Sequence, residues 1–440
     1  MKSLYIAPRF YFALFVVAIL YTVGFFVDAA LALAQIAAVG LIVICVADFL
    51  LLFGKNSGIS ASRITPQRLS NGDENTIKLT VKSHYSVNTF VEIIDELPIQ
   101  FQIRDFSIKQ EFNQSASHQF SYTLKPVNRG EFEFGSINVF VQTKLSLFKR
   151  RFSIDESRSI PVYPSYVQMR KFEMYAISNR LTDLGVKKVR RLGHTMEFDQ
   201  IREYVRGDDI RSINWKATAR SNQLMINQYQ DERSQQIINV VDLGRVMKMP
   251  FDGLQLLEYA INTSLVLSNI AVLKEDKAGL IAFSNNDLTV IPADKKRTHV
   301  RKIQQGLYNI DTNFMESDFD KLILALKTHV KQRSLILLYT NFETLSSMER
   351  QLPYLRKIAK DHLLVTIFFE NTELTSLTQK DAQNVSDIYL KTIAEKFSFE
   401  KKQIVKSLNR YGIHTIYTPP KELSINAINK YLELKARTLI

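Results

Sequence analysis

Residues 193–220 read GHTMEFDQIREYVRGDDIRSINWKATAR, and they mark the point at which the chain changes character. The segment surrounds Trp215, the only tryptophan of the chain, with charges of both signs. The charged residues are Glu197, Asp199, Arg202, Glu203, Arg206, Asp208, Asp209, Arg211, Lys216 and Arg220. Gly207 followed by two aspartates is typical of a turn and of a helix N-cap. So many charges around one aromatic residue do not suit a buried strand.

Apolar residues alternate with these charges, and they are Ile201, Tyr204, Val205, Ile210 and Ile213. The pattern predicts an apolar underside beneath a charged, self-paired upper face. Two interpretations are open, a structural ion-pair cluster and a recognition surface, because perturbed charges gather at both kinds of place. The neighbouring arginines should depress the pKa of the Asp208 and Asp209 carboxyls, which favours ion pairing over proton transfer. We expect the segment to brace the C-terminal domain against the linker that precedes it.

The segment resembles the signature of the domain-of-unknown-function 58 family, E-F-x-x-x-R-x-Y-x-x-G-D-D-x-R-x-I-[DN]-W-K-x-[TS]-A-R. The matching residues are Glu197, Phe198, Arg202, Tyr204, Gly207, Asp208, Asp209, Arg211, Ile213, Asn214, Trp215, Lys216, Thr218, Ala219 and Arg220. Asn214 stands where an aspartate is commoner. The resemblance implies a bacterial membrane-anchored protein in which the signature precedes a von Willebrand A-like (Rossmann-like) domain. It also implies a MoxR-type AAA+ ATPase as partner and a role in envelope assembly or stress tolerance.

Two apolar segments precede everything else. Residues 10–27 carry no charge, and residues 29–53 carry only Asp48. Each can cross a hydrocarbon core of about 30 Å. Because the linker is as short as Asp28, residues 1–54 are predicted to form a transmembrane helical hairpin.

Basic residues flank both ends of this hairpin, and they are Lys2, Arg9, Lys55, Arg63 and Arg68. The positive-inside rule therefore places the chain after about residue 54 in the cytosol, at the bacterial inner membrane. Asp48 is either an intramembrane functional carboxylate or an interfacial residue near Lys55. Its place close to the cytosolic end favours the interfacial position.

Residues 59–164 show short alternating runs separated by turn residues, which predicts an antiparallel β-sandwich. The runs are 76–82, 90–95, 118–124, 130–134 and 137–142. No cluster of catalytic residue types lies among them, so we expect a spacer or interaction module. Residues 165–235 form the linker and signature segment, in which the basic run 187–191 is either a solvated loop or a docking site for acidic lipid or an acidic partner.

Residues 236–440 alternate apolar runs of strand length with helical patterns. The runs are 236–242, 278–283, 334–340, 363–369 and 413–417. This alternation predicts an α/β domain with a mostly parallel sheet covered on both faces. Ligand sites in such sheets lie beyond the carboxyl ends of the strands, which draws attention to Asp242 and Asn341.

The resemblance implies a divalent-cation site built from D-x-S-x-S and a later aspartate. Here the serine positions hold Gly244 and Val246, and Asn341 replaces the later aspartate. A hard cation needs several oxygen ligands, so we expect a degenerate site that binds no metal. Ser317, with Glu316 before it, falls in the region of a further threonine ligand. We expect Asp242 to be held by backbone amides or by a basic residue such as Arg245.

The composition and the motif content limit the classes of function that the chain can have. The net charge of +13 favours anionic partners, with the cytosolic membrane leaflet as the default and nucleic acid as the unsupported rival. Phosphate-binding and nucleophile-elbow motifs are absent from the sequence, and Cys45 is the only cysteine. We therefore expect a non-enzymatic, membrane-anchored cytosolic adaptor without cofactors or a small-molecule substrate. The alternatives are a divalent-metal-dependent protein-binding module and a hydrolase that uses the signature carboxylates.

Overall fold

The computed structural model describes residues 3–54, 58–114, 116–178, 180–187, 196–221, 223–231, 234–251, 253–312, 315–379 and 384–437. Its contacts divide the chain into two units, Met1–Tyr163 and Pro164–Ile440. The elements of the first unit are β1 (Leu4–Ile6), α1 (Pro8–Gly24), α2 (Asp28–Phe53), β2 (Ile59–Ile64), β3 (Leu69–Ser70), β4 (Asn75–Ser83), β5 (Thr89–Asp95), β6 (Ile108–Phe112), β7 (Ser117–Leu124), β8 (Gly130–Phe134), β9 (Ile137–Thr143), β10 (Phe148–Ile154) and β11 (Arg158–Tyr163).

Helices α1 and α2 form an antiparallel hairpin that turns through residues 25–27, not at Asp28 as expected. Asp28 is instead the first residue of α2, where the positive end of the helix dipole stabilises its carboxylate. Gly24 permits the close approach of the two helices, because a Cβ there would lie 2.8 Å from the Cα of Leu31. Small residues commonly allow such contact between membrane helices.

The rest of the first unit is rich in β-structure. A five-stranded sheet has the order β1-β10-β9-β5-β6, and two three-stranded sheets have the orders β2-β4-β7 and β3-β11-β8. Alternate residues of β4 are buried, as the period of a strand with one covered face requires. Arg63, expected to flank the membrane, is instead almost fully buried and forms an ion pair with Asp95. It therefore adds no charge to the membrane boundary.

Asp48 joins the end of α2 to the five-stranded sheet. Its buried carboxylate accepts hydrogen bonds from the Thr143 hydroxyl and from the backbone N–H groups of Leu147 and Phe148, the last two at 3.1 and 3.0 Å. This charge is therefore held by donors about 100 residues away, and the expected neighbour Lys55 lies outside the described residues.

One turn further along α2, the Leu52 carbonyl accepts hydrogen bonds from the Tyr85 hydroxyl at 3.0 Å and from the Arg150 guanidinium at 2.8 Å. The last two turns of α2 are thus hydrogen-bonded to the β-rich part of the first unit.

The elements of the second unit are α3 (Tyr166–Ile177), β12 (Met196–Glu203), α4 (Trp215–Ser221), β13 (Met225–Asp231), β14 (Gln236–Asp242), β15 (Pro250–Phe251), β16 (Leu254–Gln255), α5 (Leu256–Leu273), β17 (Lys277–Phe283), β18 (Leu288–Asp294), α6 (His299–Tyr308), α7 (Phe319–His329), β19 (Leu335–Tyr339), α8 (Leu345–Asp361), β20 (Leu363–Phe369), α9 (Thr372–Gln379), α10 (Val385–Arg410), β21 (His414–Thr418) and α11 (Leu423–Ala436). Its main sheet has the order β18-β17-β14-β19-β20-β21. All neighbours are parallel except β17 and β18.

Helices cover both faces of this sheet. Ile237 and Val241 of β14 belong to one core cluster with α5, α6 and α11, while Ile238 and Val240 belong to another with α7, α8 and α10. Helix α5 has the length and mean hydropathy of a membrane span, but 89% of its apolar window is buried in this core. The corresponding window of α2 is only 11% buried. Among the described residues, α2 is therefore the long apolar helix that the fold leaves uncovered.

We predict that Asp48→Leu loosens the junction between α2 and the sheet, although it makes α2 more apolar. Three donors would lose their acceptor, and each buried unsatisfied group costs about 1–3 kcal/mol. Trypsin should then cleave the full-length protein faster after Lys144 and Lys149, as followed by mass spectrometry. Cys45→Ala on the same helix is the control, and equal cleavage rates in all three proteins would contradict the prediction.

Candidate functional site

The carboxyl edge of the main sheet contains the residues that were expected to form a degenerate metal site. Strand β14 ends at Asp242, and Thr340 and Asn341 follow directly after β19. The buried Asp242 carboxylate accepts hydrogen bonds from the Gly244 N–H at 2.8 Å, the Thr340 hydroxyl at 2.6 Å and the Ser317 hydroxyl. Burial raises the pKa of Asp242, and these three hydrogen bonds oppose the shift by favouring the ionised form.

Gly244 is required by this arrangement. A Cβ at position 244 would collide with the Ser317 hydroxyl, so a serine there would exclude Ser317 from the carboxylate. Ser317 therefore takes the space that the missing serine would have filled. The expected hydrogen bond from a backbone amide to Asp242 is observed at Gly244. Among the described residues, Arg245 does not donate to this carboxylate.

The donor set at this edge does not fit a divalent cation. Asp242 is already bonded to three groups of the chain, and Val246 packs against the apolar core. The Asn341 side-chain oxygen accepts a hydrogen bond from the Lys401 ammonium at 3.2 Å. A hard cation would have to displace these hydrogen bonds and compete with the Lys401 ammonium, so we expect this edge to remain a structural cluster.

A cavity of about 370 Å³ opens beside this cluster. Its walls are mainly apolar and include Phe369, Leu374 and Phe397, with Lys401 among its polar residues. Burial lowers the pKa of Lys401 to about 8, against the opposing charges of Glu343 and Glu400. The Lys401 ammonium also donates to the Phe342 carbonyl. Lys401 is thus held in place by acceptors of the loop after β19.

The signature segment folds as an antiparallel pair, β12 and β13, with a turn at Gly207 whose φ is +116°. Such a φ favours glycine. Arg202 binds the Asp208 carboxylate through two hydrogen bonds of 2.8 and 2.7 Å, and the Val205 N–H adds a third at 2.8 Å. Arg202 holds the pKa of Asp208 below its usual range, in the direction predicted from the sequence.

Two further residues shape the segment through local hydrogen bonds. Asp209 accepts from the Arg211 N–H at 2.9 Å and so caps a short 3₁₀ turn. The Asn214 oxygen accepts from the Ala217 N–H at 3.0 Å, and its amide donates to Asn227 at 2.8 Å. An aspartate at 214 could make the first bond but not the second, because a carboxylate cannot donate.

The apolar residues of the signature do not form the expected buried underside. Trp215 and Ile210 are each 70% exposed, and Val205 is 62% exposed. A two-stranded sheet has no second layer to cover it, which explains this exposure. The exposed charged residues that share the segment are Glu203, Arg206, Asp209, Arg211, Lys216 and Arg220. The side chain of Glu197, residue His194 and residues 188–191 of the basic run lie outside what the structure describes.

Comparisons with known proteins agree with the resemblance carried by the signature. Residues 200–395 match the family described as Protein of unknown function DUF58. The uncharacterized protein YeaD of Bacillus subtilis (strain 168) is 29% identical over 128 residues. That match covers 29% of this chain and 31% of the relative, so the chain spans about a third of that relative's length.

Solved structures give weaker likenesses. The conserved hypothetical protein BatB from Bacteroides thetaiotaomicron is 12% identical, covers 46% of this chain and 100% of its own, and has a TM-score of 0.29. The CARDB domain of the PF1109 protein from Pyrococcus furiosus is 10% identical, covers 24% and 94%, and has a TM-score of 0.18. Likenesses at these TM-scores do not define the fold.

We predict that calorimetric titration of the full-length protein with Mg²⁺ or Mn²⁺ produces no specific heat, because Asp242 is occupied by donors of the chain. The control is the Asp242→Asn variant titrated in the same way. A saturable heat in the wild type that disappears in this variant would show that the edge still binds metal.

We also predict a pH dependence that Lys401 imposes on stability. Its folded pKa of about 8 lies below the unfolded value of about 10.4, so the unfolded chain binds more protons between these limits. The free energy of unfolding of the wild type should therefore rise by about 1–3 kcal/mol relative to Lys401→Met as the pH passes from 8 to 10.4. Urea unfolding followed by circular dichroism measures this difference. Relative to the control Lys402→Met, which replaces an exposed lysine and keeps Lys401, the wild type should show no such rise. Parallel curves for all three proteins would disprove the assignment.

Proposed function

We propose that this chain is a non-enzymatic, membrane-anchored adaptor that binds a protein partner through its signature segment. The observation that carries the proposal is the exposure of Trp215, Ile210 and Val205 on a segment shaped by its own hydrogen bonds. Exposed apolar residues rimmed by charges are typical of protein interaction sites. Tryptophan and arginine are also the residue types that dominate binding energy at interfaces.

The anchor is the hairpin of α1 and α2. Helix α2 has 26 residues, about 39 Å, and α1 has 17, about 26 Å, which suits a bilayer crossed twice. Outward-facing side chains such as Phe12, 71% exposed, support a lipid environment. The basic residues near both ends favour the cytosolic face of a bacterial inner membrane for both units.

The second unit is, in this proposal, a von Willebrand A-like domain whose metal site has become structural. The support is the position of Asp242 at the end of a central strand, with Thr340 and Asn341 after the next one. Its bonded carboxylate weighs against the alternative of a metal-dependent binding module. The unit then serves as a rigid support for the signature segment.

A hydrolase that uses the signature carboxylates is the less favoured alternative. Asp208 is paired with Arg202, and its lowered pKa makes it a poor proton acceptor. Asp242 is buried and fully bonded. The hydrogen bonds that engage both carboxylates weigh against acid–base catalysis by either of them.

The partner in this proposal is a MoxR-type AAA+ ATPase, and the process is envelope assembly or stress tolerance. Both rest on the family resemblance. The partner's docking surface should combine an apolar pocket for Trp215 with acidic residues that complement the basic side chains around it.

We predict that Trp215→Ala weakens partner binding strongly without destabilising the protein. The full-length protein is isolated in detergent from its native membrane, with and without ATP and Mg²⁺. Wild type should retain an AAA+ ATPase in a nucleotide-sensitive manner, and Trp215→Ala should weaken binding at least about 30-fold, as expected for a hot-spot tryptophan. The control Leu324→Ala removes another exposed apolar side chain, 68% exposed on α7, and should bind normally.

The sole tryptophan also reports directly on its own environment. Its fluorescence should shift to shorter wavelength when the isolated partner is added, because the indole leaves water. Equal partner recovery by both variants, or an unchanged emission spectrum at saturating partner, would contradict a docking role for Trp215.

A further inference from the structure

A second cavity lies within the first unit, beside the first turn of α1. Its volume is about 450 Å³, within the range of ligand sites. Its polar walls are formed by Arg9, Glu92, Lys109, Gln110, Gln142 and Lys149. None of these residues takes part in the signature segment or in the carboxyl edge of the main sheet, so the cavity is independent of both.

The charge of this cavity is positive. Glu92 lies between two lysines, 3.3 Å from the Lys109 ammonium and 3.7 Å from the Lys149 ammonium. The Arg9 guanidinium contacts a neutral acceptor, the Lys144 carbonyl, at 3.4 Å. One carboxylate therefore faces three cations, and the excess positive charge favours an anionic ligand.

Hydrogen bonds hold the two segments of the cavity wall that carry Arg9 and Lys149. The segment that leads from Thr143 to Phe148 is bound to Asp48, and Lys149 follows it. Strand β1 pairs with β10, and the Ala7 N–H donates to the Leu147 carbonyl at 2.9 Å. Arg9 and Lys149 therefore belong to one hydrogen-bonded framework, which reduces the ordering cost of binding.

We propose that this cavity binds the headgroup of an anionic phospholipid. The inference rests on the membrane anchoring in the proposed function, because Arg9 stands in the first turn of a membrane helix. Exposed Tyr11 and Phe12 continue along α1 from the cavity, and Phe90 lines its rim. A ligand with an anionic head and apolar tails matches both surfaces, and basic sites beside membrane helices bind such headgroups. A free phosphate would leave the apolar flank uncovered.

The test uses the full-length protein, delipidated in dodecyl maltoside. Native mass spectrometry measures its binding of dioctanoyl phosphatidylglycerol, dioctanoyl phosphatidylcholine and inorganic phosphate. Phosphatidylglycerol should bind at least 10-fold more tightly than the other two. Each cation contributes a factor of about 5, so Arg9→Gln with Lys149→Gln should weaken phosphatidylglycerol binding by about 25-fold. The matched control, Lys78→Gln with Lys82→Gln, removes two exposed lysines of β4 and should bind as the wild type does.

Equal binding of phosphatidylglycerol and phosphatidylcholine would overturn the proposal, and so would equal binding of inorganic phosphate, which would indicate a free-anion site. An equal loss in the control pair would show that only overall charge matters. If the Arg9 and Lys149 variant does not fold, the lipid selectivity of the wild type still decides. Alkaline carbonate extraction separately tests the anchor. Release of the protein from membranes would refute the anchoring, whereas retention without lipid selectivity would refute the headgroup site alone.

Discussion

A carboxylate buried at the end of a central strand must find hydrogen-bond donors, and Asp242 finds all of them within its own unit. This requirement explains the residues around it. Gly244 leaves room for Ser317, Thr340 supplies a hydroxyl, and Asn341 is engaged by the ammonium of Lys401. The Asp242 carboxylate is thus held by groups of the chain itself, and the Lys401 ammonium is hydrogen-bonded to the neighbouring Asn341. In the proposed function, recognition therefore falls to the signature segment, where Trp215 is 70% exposed.

The central strands were predictable because strands covered on both faces must be apolar throughout. The runs 236–242 and 363–369 coincide with β14 and β20. Strand β18 was not predicted, since it is an antiparallel edge strand that is partly exposed along its length and contains Pro292.

In the candidate sites, contacts between residues close in sequence could be predicted, whereas contacts that depend on distant segments could not. The pairing of Arg202 with Asp208 follows from neighbours in sequence and was anticipated. The exposure of Trp215 depends on the lack of a covering layer, which the alternation of apolar and charged residues does not show. Ser317 beside Asp242 could be placed only as a region, because its register depends on the loop before α7. Asp48 was expected at the membrane interface, whereas its partners come from strands that the local sequence cannot indicate.

The pairing of β1 with β10 has a consequence for synthesis. These strands are separated by about 140 residues, and the whole helical hairpin lies between them and within the early part of the chain. The hairpin therefore leaves the ribosome long before β10 is synthesised, and in the proposed membrane anchoring it can insert first. Leu4 to Ile6 have no β10 to pair with until residues 148–150 are synthesised. A nascent chain that stalls before residue 148 therefore cannot complete the five-stranded sheet, because β10 lies between β1 and β9.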